Sequence, residues 1–387
     1  MVHTFERPNL HYRDSCISHL ITTTLETTMI RLITVTTSAL LLTACGGAKH
    51  AATYDLAAAS ATGDISSTME LADAAWDNRG DTASLINALE LYEETLSTDP
   101  GNRHALERLT RGYFFLGDGH YVEMEQKLEA WNSSVTFGKQ CMGLNSEFRA
   151  LIESGEHDDG TAAIAFTEVD VPCVYWTATS LGKWAKAQGL SVTLANIPTV
   201  KEWIGRLDTL APEYFYQATS RYWGAYYAAI PSFAGRDLER SRSEFDVAIE
   251  AFPEYFGSHV ALAEYWATKA QDIAVFDEQI SHVLSQCPNT VEGIEAEQEA
   301  EQRKATRLLA QRSELFVNSD SVAAPDIEEV DCSPAPVEEA PPAEEPPTDE
   351  GADNENATET EAADDSSAVE ELLGGEAGET TESTDGE

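Results

Sequence analysis

The residues of this 387-residue chain best suited to covalent chemistry are its six cysteines. Four of them, Cys141, Cys173, Cys287 and Cys332, lie in the body of the chain, and none has the paired CxxC spacing of a structural zinc site. In an oxidising compartment four thiols form up to two disulfides in any of three pairings. Sequence order favours Cys141–Cys173 and then Cys287–Cys332, with four free thiols as the alternative. The densest group of ionisable side chains is Glu156-His157-Asp158-Asp159-Gly160. A calcium loop needs alternating oxygen donors over twelve residues and a closing Glu. This run lacks both and reads as a solvated loop. His104, His120, His259 and His282 share no spacing, and no phosphate-binding loop, nucleophile elbow or HExxH motif is present. Gly117-Asp118-Gly119 lacks a third glycine and a preceding strand, and reads as a turn. The chain is therefore read as non-enzymatic, with no metal and no cofactor.

Aromatic rings offer the other chemistry, stacking and apolar contact. All seven Trp fall between Trp76 and Trp266, and Tyr214-Phe215-Tyr216, Tyr222-Trp223 and Tyr226-Tyr227 crowd one segment. That is more rings than a single core stripe buries. Helix-on-helix packing accounts for part of them, and the surplus fits an apolar groove or a subunit interface. The candidate ligand or interface residues are Tyr214, Tyr222, Trp223, Tyr226 and Asp237. The first four give stacking area at low entropy cost, while Asp237 is either a contact or the N-cap of the next helix.

The elements that position these groups are helices. LINALELYEETLSTDP (85–100) followed by GNRHALERLTRGYFFLGD (101–118) places Leu106, Leu109, Tyr113 and Leu116 on one face after an Asp-Pro turn. DLERSRSEFDVAIEAFPEYFGSHVALAEYWATKAQD (237–272) repeats the design, with Pro253 where Pro100 stands. Its stripe of Leu238, Ser241, Phe245, Ala248, Ile249 and Phe252 follows the helical period. Two register-matched copies indicate a tetratricopeptide-type hairpin repeat. Between them, 121–138, 172–188, 200–210 and 212–230 carry further helical stripes, with Pro172 and Pro212 at helix starts. The β-branched stretch 191–200 is broken by Pro198 and is no strand. The expected fold class is all-α, a TPR-like solenoid of stacked helix pairs.

Charge divides the chain. The formal net charge is −44, yet 24 acidic residues lie in Asp320–Glu387 and no Lys or Arg follows Arg312, so the rest carries −20. Such a balance excludes nucleic acid as a partner and a polybasic membrane surface. The stretch 318–387, rich in Glu, Asp, Ala and Pro, buries too little apolar surface to offset its backbone entropy and is expected to be a disordered acidic tail. At the other end, Met29-Ile30-Arg31 precedes an apolar run of about a dozen residues, too short to span a bilayer, which needs about 20. It ends in Leu42-Thr43-Ala44-Cys45, which resembles a bacterial lipobox. The resemblance implies cleavage before Cys45 and lipidation of its sulfur. Residues 1–28 then read as an over-extended gene start, 29–44 as the signal peptide, 45–70 as a tether and 71–317 as the TPR-like domain. Gly46, in place of Asp, hints at the outer membrane.

Pro212-Glu-Tyr-Phe-Tyr-Gln-Ala, Arg221-Tyr-Trp-Gly224 and the run from Pro231 through Gly235, Asp237, Leu238, Ser241, Phe245 and Ala248 to Pro253-Glu-Tyr255 resemble the T component of TRAP transporters. The likeness extends over about 75–316. It implies a lipid-anchored periplasmic protein, assembled as a homotrimer and partnered by the periplasmic solute-binding subunit of a TRAP system, with a small hydrophobic ligand. The alternative from another class is a generic TPR scaffold lipoprotein serving envelope assembly.

Overall fold

The structure, a computed structural model, describes residues 52–328 and 330–332, and every regular element among them is helical. The leader, Cys45 and the greater part of the acidic tail lie outside the described residues. Helix α1 (Ser66–Asp77) packs on α2 (Thr82–Thr98), which packs on α3 (Arg103–Phe115). The turns are set by side-chain caps: Asp81 accepts from the Ser84 amide at 2.8 Å, and Asn102 from the Ala105 amide at 3.0 Å. The stack continues through α4 (Met124–Met142), the short α5 (Ser146–Glu153), α6 (Val171–Gln188) and α7 (Leu190–Leu210). Helix α8 (Tyr214–Ala229) pairs with α9 (Leu238–Ala251). Helix α10 (Phe256–Ala261) follows and runs on as a π-helical turn, Leu262–Ala267. Helix α11 (Ile273–Leu284), α12 (Glu295–Ala310) and the short α13 (Arg312–Leu315) follow. The all-α class expected from the sequence period is what the chain adopts.

The pairs α2/α3 and α8/α9 share a packing device. A Cβ on Gly112 of α3 would stand 2.6 Å from Leu89 of α2, and one on Gly224 of α8 would stand 2.8 Å from the Phe245 ring of α9. Only glycine lets the helices approach so closely. Ala88, Ser241 and Ala248, the small residues of the stripes, are fully buried, and Ser241 Oγ donates to the Gly224 carbonyl at 2.6 Å. Leu85, Leu106, Phe245 and Trp203 are likewise shut off from solvent, each such side chain contributing about 1.5–3 kcal/mol.

Three local features differ from the sequence reading. Helix α7 begins at Leu190, ten residues earlier than the stripe at 200–210 implied, and contains Pro198. Gly189, at φ 111°, turns the chain out of α6. Thr193 Oγ1 and Asn196 Nδ2 then donate to the Gly189 and Val192 carbonyls, holding the turn that precedes the proline. Second, the segment 212–230 is not one regular helix, because Phe215, Tyr216 and Gln217 have φ of 43°, 60° and 55°. Three left-handed residues in succession interrupt the helical stripe expected over 212–230. Third, the stack closes on itself. Arg79, after α1, donates to Glu297 of α12 at 3.0 and 2.8 Å, and Arg111 of α3 donates to the same carboxylate at 2.6 Å. A C-terminal helix that returns to the first hairpin leaves no trace in a periodic pattern.

Past 317 the described chain stays attached to the helices. Arg312 donates to the Val322 and Ala323 carbonyls at 3.3 Å, and Cys332 is bonded to Cys287. The other disulfide, Cys141–Cys173, ties α4 to α6 across a Cα–Cα distance of 5.8 Å. No described helix is long and apolar enough to cross a membrane.

Candidate functional site

Where α6, α7, α8, α10 and α12 converge they leave a cavity of about 380 Å³. Its walls are aromatic. Trp176 of α6 packs edge-on against Phe215, 4.9 Å between ring centres, and donates from Nε1 to the Tyr214 hydroxyl at 3.0 Å. Phe215 in turn meets Tyr255 at 5.7 Å, and Tyr255 stacks on Tyr216 at 4.8 Å. The left-handed turn at 215–217 thus aims the Phe215 ring into the space between α6 and α10. Ile197 and Val200 of α7 and Val260 of α10 supply aliphatic surface. Burial raises the pKa of the Tyr214, Tyr222 and Tyr255 phenols, so they remain neutral hydrogen-bonding groups at physiological pH.

The floor is charged. Asp118 sits in a π-helical turn, Leu116–His120, directly after α3. It forms ion pairs with Lys183 of α6 and Lys304 of α12, and Lys304 also donates to Glu301 at 2.7 Å. Burial alone would raise the Asp118 pKa, but the two ammonium groups outweigh it and hold the carboxyl well below the usual carboxylate range. Glu297 behaves alike: burial opposes its charge, and Arg111 and Arg79 restore it. Carboxylates held so strongly ionised are weak bases at neutral pH. The glycines either side of Asp118 have a packing purpose. A Cβ at Gly117 would lie 2.8 Å from the Trp131 indole, and one at Gly119 2.8 Å from Phe115.

Of the residues singled out from sequence, Tyr222 and Tyr226 line the cavity. Tyr214 stands behind it as the acceptor for Trp176. Trp223 points the other way, 8% exposed, its Nε1 donating to Asp208 at 2.6 Å. Asp237 caps α9, accepting from the Arg240 amide at 2.9 Å, and does not line the cavity. Glu156 and Asp158 are exposed, and Asp158 turns its own loop by accepting from the Thr161 amide at 2.8 Å. Sequence reasoning missed Arg111, Asp118, Lys183, Arg221, Glu297 and Lys304. They come from five separated elements, and only the Gly-Asp-Gly run offered a local signal.

Helix pairs of the TPR-like type surround an amphipathic cavity with ion-paired carboxylates in its floor. Residues 142–316 match the family model of the TRAP transporter T-component. No curated protein matches the chain. A T-component is a transport accessory, and the match supports an accessory role in TRAP-type transport with an envelope association. The matched stretch contains α6, α7, α8, α10 and α12, which supply most of the cavity lining, while Arg111, Phe114, Phe115 and Asp118 of the lining precede it.

Proposed function

We propose that this protein is a non-enzymatic lipoprotein accessory of a TRAP-type transport system, which binds the periplasmic solute-binding subunit and receives a small, largely apolar ligand in the cavity between α6, α8 and α10. The observation that carries the reading is the aromatic cavity itself, lined mostly by helices of the matched segment. Its volume falls at the lower end of the range usual for small-molecule sites, about 300–1,000 Å³. A scaffold acting only through its outer surface has no need of it. Cys45, in its lipobox setting, supplies the anchor, with the domain facing the periplasm from the outer membrane. The protein assembles as a homotrimer, as the family resemblance implies. Sedimentation of the unlipidated domain tests the assembly: a trimer supports it, and a stable monomer at micromolar concentration counts against it. Purification followed by organic extraction and mass spectrometry tests the ligand: a stoichiometric small molecule is expected, and an extract identical to that of an unrelated periplasmic protein refutes it.

A further inference from the structure

The charges of the cavity do not cancel. Its lining cations are Arg111, Lys183, Lys186, Arg221 and Lys304, against the carboxylates Asp118, Glu264, Glu297 and Glu301. Glu297 is also engaged from outside the lining by Arg79. In a chain of 68 acidic and 24 basic residues, a cavity with more cations than carboxylates is the reverse of the surrounding composition.

Two lining cations, Arg221 and Lys186, have no ion pair among the described residues, and of these Arg221 is the buried one. It is 9% exposed, and among the described residues no carboxylate comes within ion-pair distance of it. Its contacts are neutral. Nη1 donates to the Tyr216 carbonyl at 2.7 Å and more weakly to Ser258 Oγ at 3.5 Å, and Nη2 donates to the Phe215 carbonyl at 3.2 Å. The Tyr255 ring lies 4.6 Å from the guanidinium carbon. Both carbonyls belong to the left-handed turn, whose conformation costs roughly 1–2 kcal/mol per residue. The turn therefore presents two carbonyls to the guanidinium, fixing its plane beside the cavity without neutralising it. Lys186, also on the lining, lies over the Tyr265 ring at 4.8 Å and has no ion pair among the described residues. Glu301 acts on Arg221 only from beyond ion-pair distance, and a buried cation without a direct counter-charge is unfavourable. A planar guanidinium pairs best with a carboxylate or phosphate.

We infer that the ligand of this cavity is an amphipath with a single anionic head, seated against Arg221 and its apolar body against Phe215, Tyr222, Ile197 and Val260. The inference rests on the reading of the cavity as a ligand site. It adds what that reading lacks, the chemical class of the ligand and the end that enters first.

Calorimetric titration of the intact protein with four probes of equal chain length tests it: octanoate, octyl phosphate, octanamide and octyltrimethylammonium. At least one anion is expected to bind on the order of 10-fold or more tightly than octanamide, and the cation more weakly than either. The better of octanoate and octyl phosphate identifies the head as carboxylate or phosphate. Arg221→Gln is expected to abolish the anion preference while leaving octanamide binding within about 2-fold. Arg221→Lys keeps the charge without the planar fork and should retain part of the preference. Should the glutamine variant not fold, the probe series on the unmodified protein decides alone. Octanamide binding as tightly as both anions overturns the inference while leaving the ligand cavity in place. Absence of binding by all four probes at millimolar concentration overturns the ligand-site reading as well.

Discussion

Asp118→Asn is the most informative single change in the closed end of the stack. The substitution preserves size but removes the one carboxylate shared by Lys183 and Lys304, leaving Lys183 of α6 without a paired carboxylate and Lys304 of α12 with Glu301 alone. Removing one member of a buried ion pair costs about 3–5 kcal/mol. The Lys183 and Lys304 side chains keep 27% and 16% exposure, against 11% for Asp118, so solvent relieves part of the loss and the low end, about 3 kcal/mol, applies. At about 2–4 °C per kcal/mol for a domain of this size, the midpoint of thermal unfolding should fall by roughly 6–12 °C. Differential scanning calorimetry of both proteins at pH 7 measures it. Lys183→Met in the same chain should restore part of the loss, because it removes one stranded cation. The pH dependence follows from the lowered Asp118 pKa. The pair contributes in full above the unfolded-state value, about 3.9, and the contribution fades as pH falls through that value toward the lower folded one. The difference between the two proteins should therefore be constant from pH 5 to pH 7 and shrink below about pH 4. A midpoint lowered by less than about 2 °C at pH 7, with no effect of the second substitution, would refute the claim that this cluster fastens α12 to the first repeats.

Other outcomes follow from the same geometry. Gly224→Ala places a methyl 2.8 Å from the Phe245 ring. Overpacking of about 1–3 kcal/mol should outweigh a helix-propensity gain of about 1 kcal/mol, and urea unfolding should show a net loss. Ala225→Trp, on the cavity lining, should leave the helical circular dichroism unchanged yet weaken probe binding by more than about 10-fold; unchanged affinity would place the ligand elsewhere. Paired Cys141→Ala and Cys173→Ala opens a cross-link spanning 32 residues and should cost about 3–4 kcal/mol on chain-entropy grounds, read as a lower denaturant midpoint. Cys45→Ala should move the protein from the membrane fraction to the soluble one, and continued anchoring would exclude lipidation at that sulfur.

How much of this was legible in sequence depends on whether the information was local. The hairpins at 85–118 and 237–272 were readable because periodic apolar positions, Asp caps and post-helix prolines act within a few residues. Tyr222 and Tyr226 were readable because they lie four apart on one helix and so share a face. Helix α7 was truncated in the reading because Pro198 normally ends a helix, whereas here side chains of the preceding turn sustain it. The left-handed turn at 215–217 carries no glycine that would announce a positive φ. It is held from outside by Arg221 and ring contacts, which only the folded chain brings together. The charged floor was invisible for the same reason. Asp118, Lys183 and Lys304 are isolated in sequence, and each looks like a solvated residue until α12 returns to the first hairpin.

Association with the periplasmic solute-binding subunit of the cognate TRAP system bears most directly on the central claim. Titration of that subunit into the mature protein by calorimetry, with the Ala225→Trp protein in parallel, should give a saturable complex in the micromolar range or tighter. No heat of association and no co-sedimentation at about 100 µM of each protein would contradict the account and return the chain to the class of helical-repeat scaffolds.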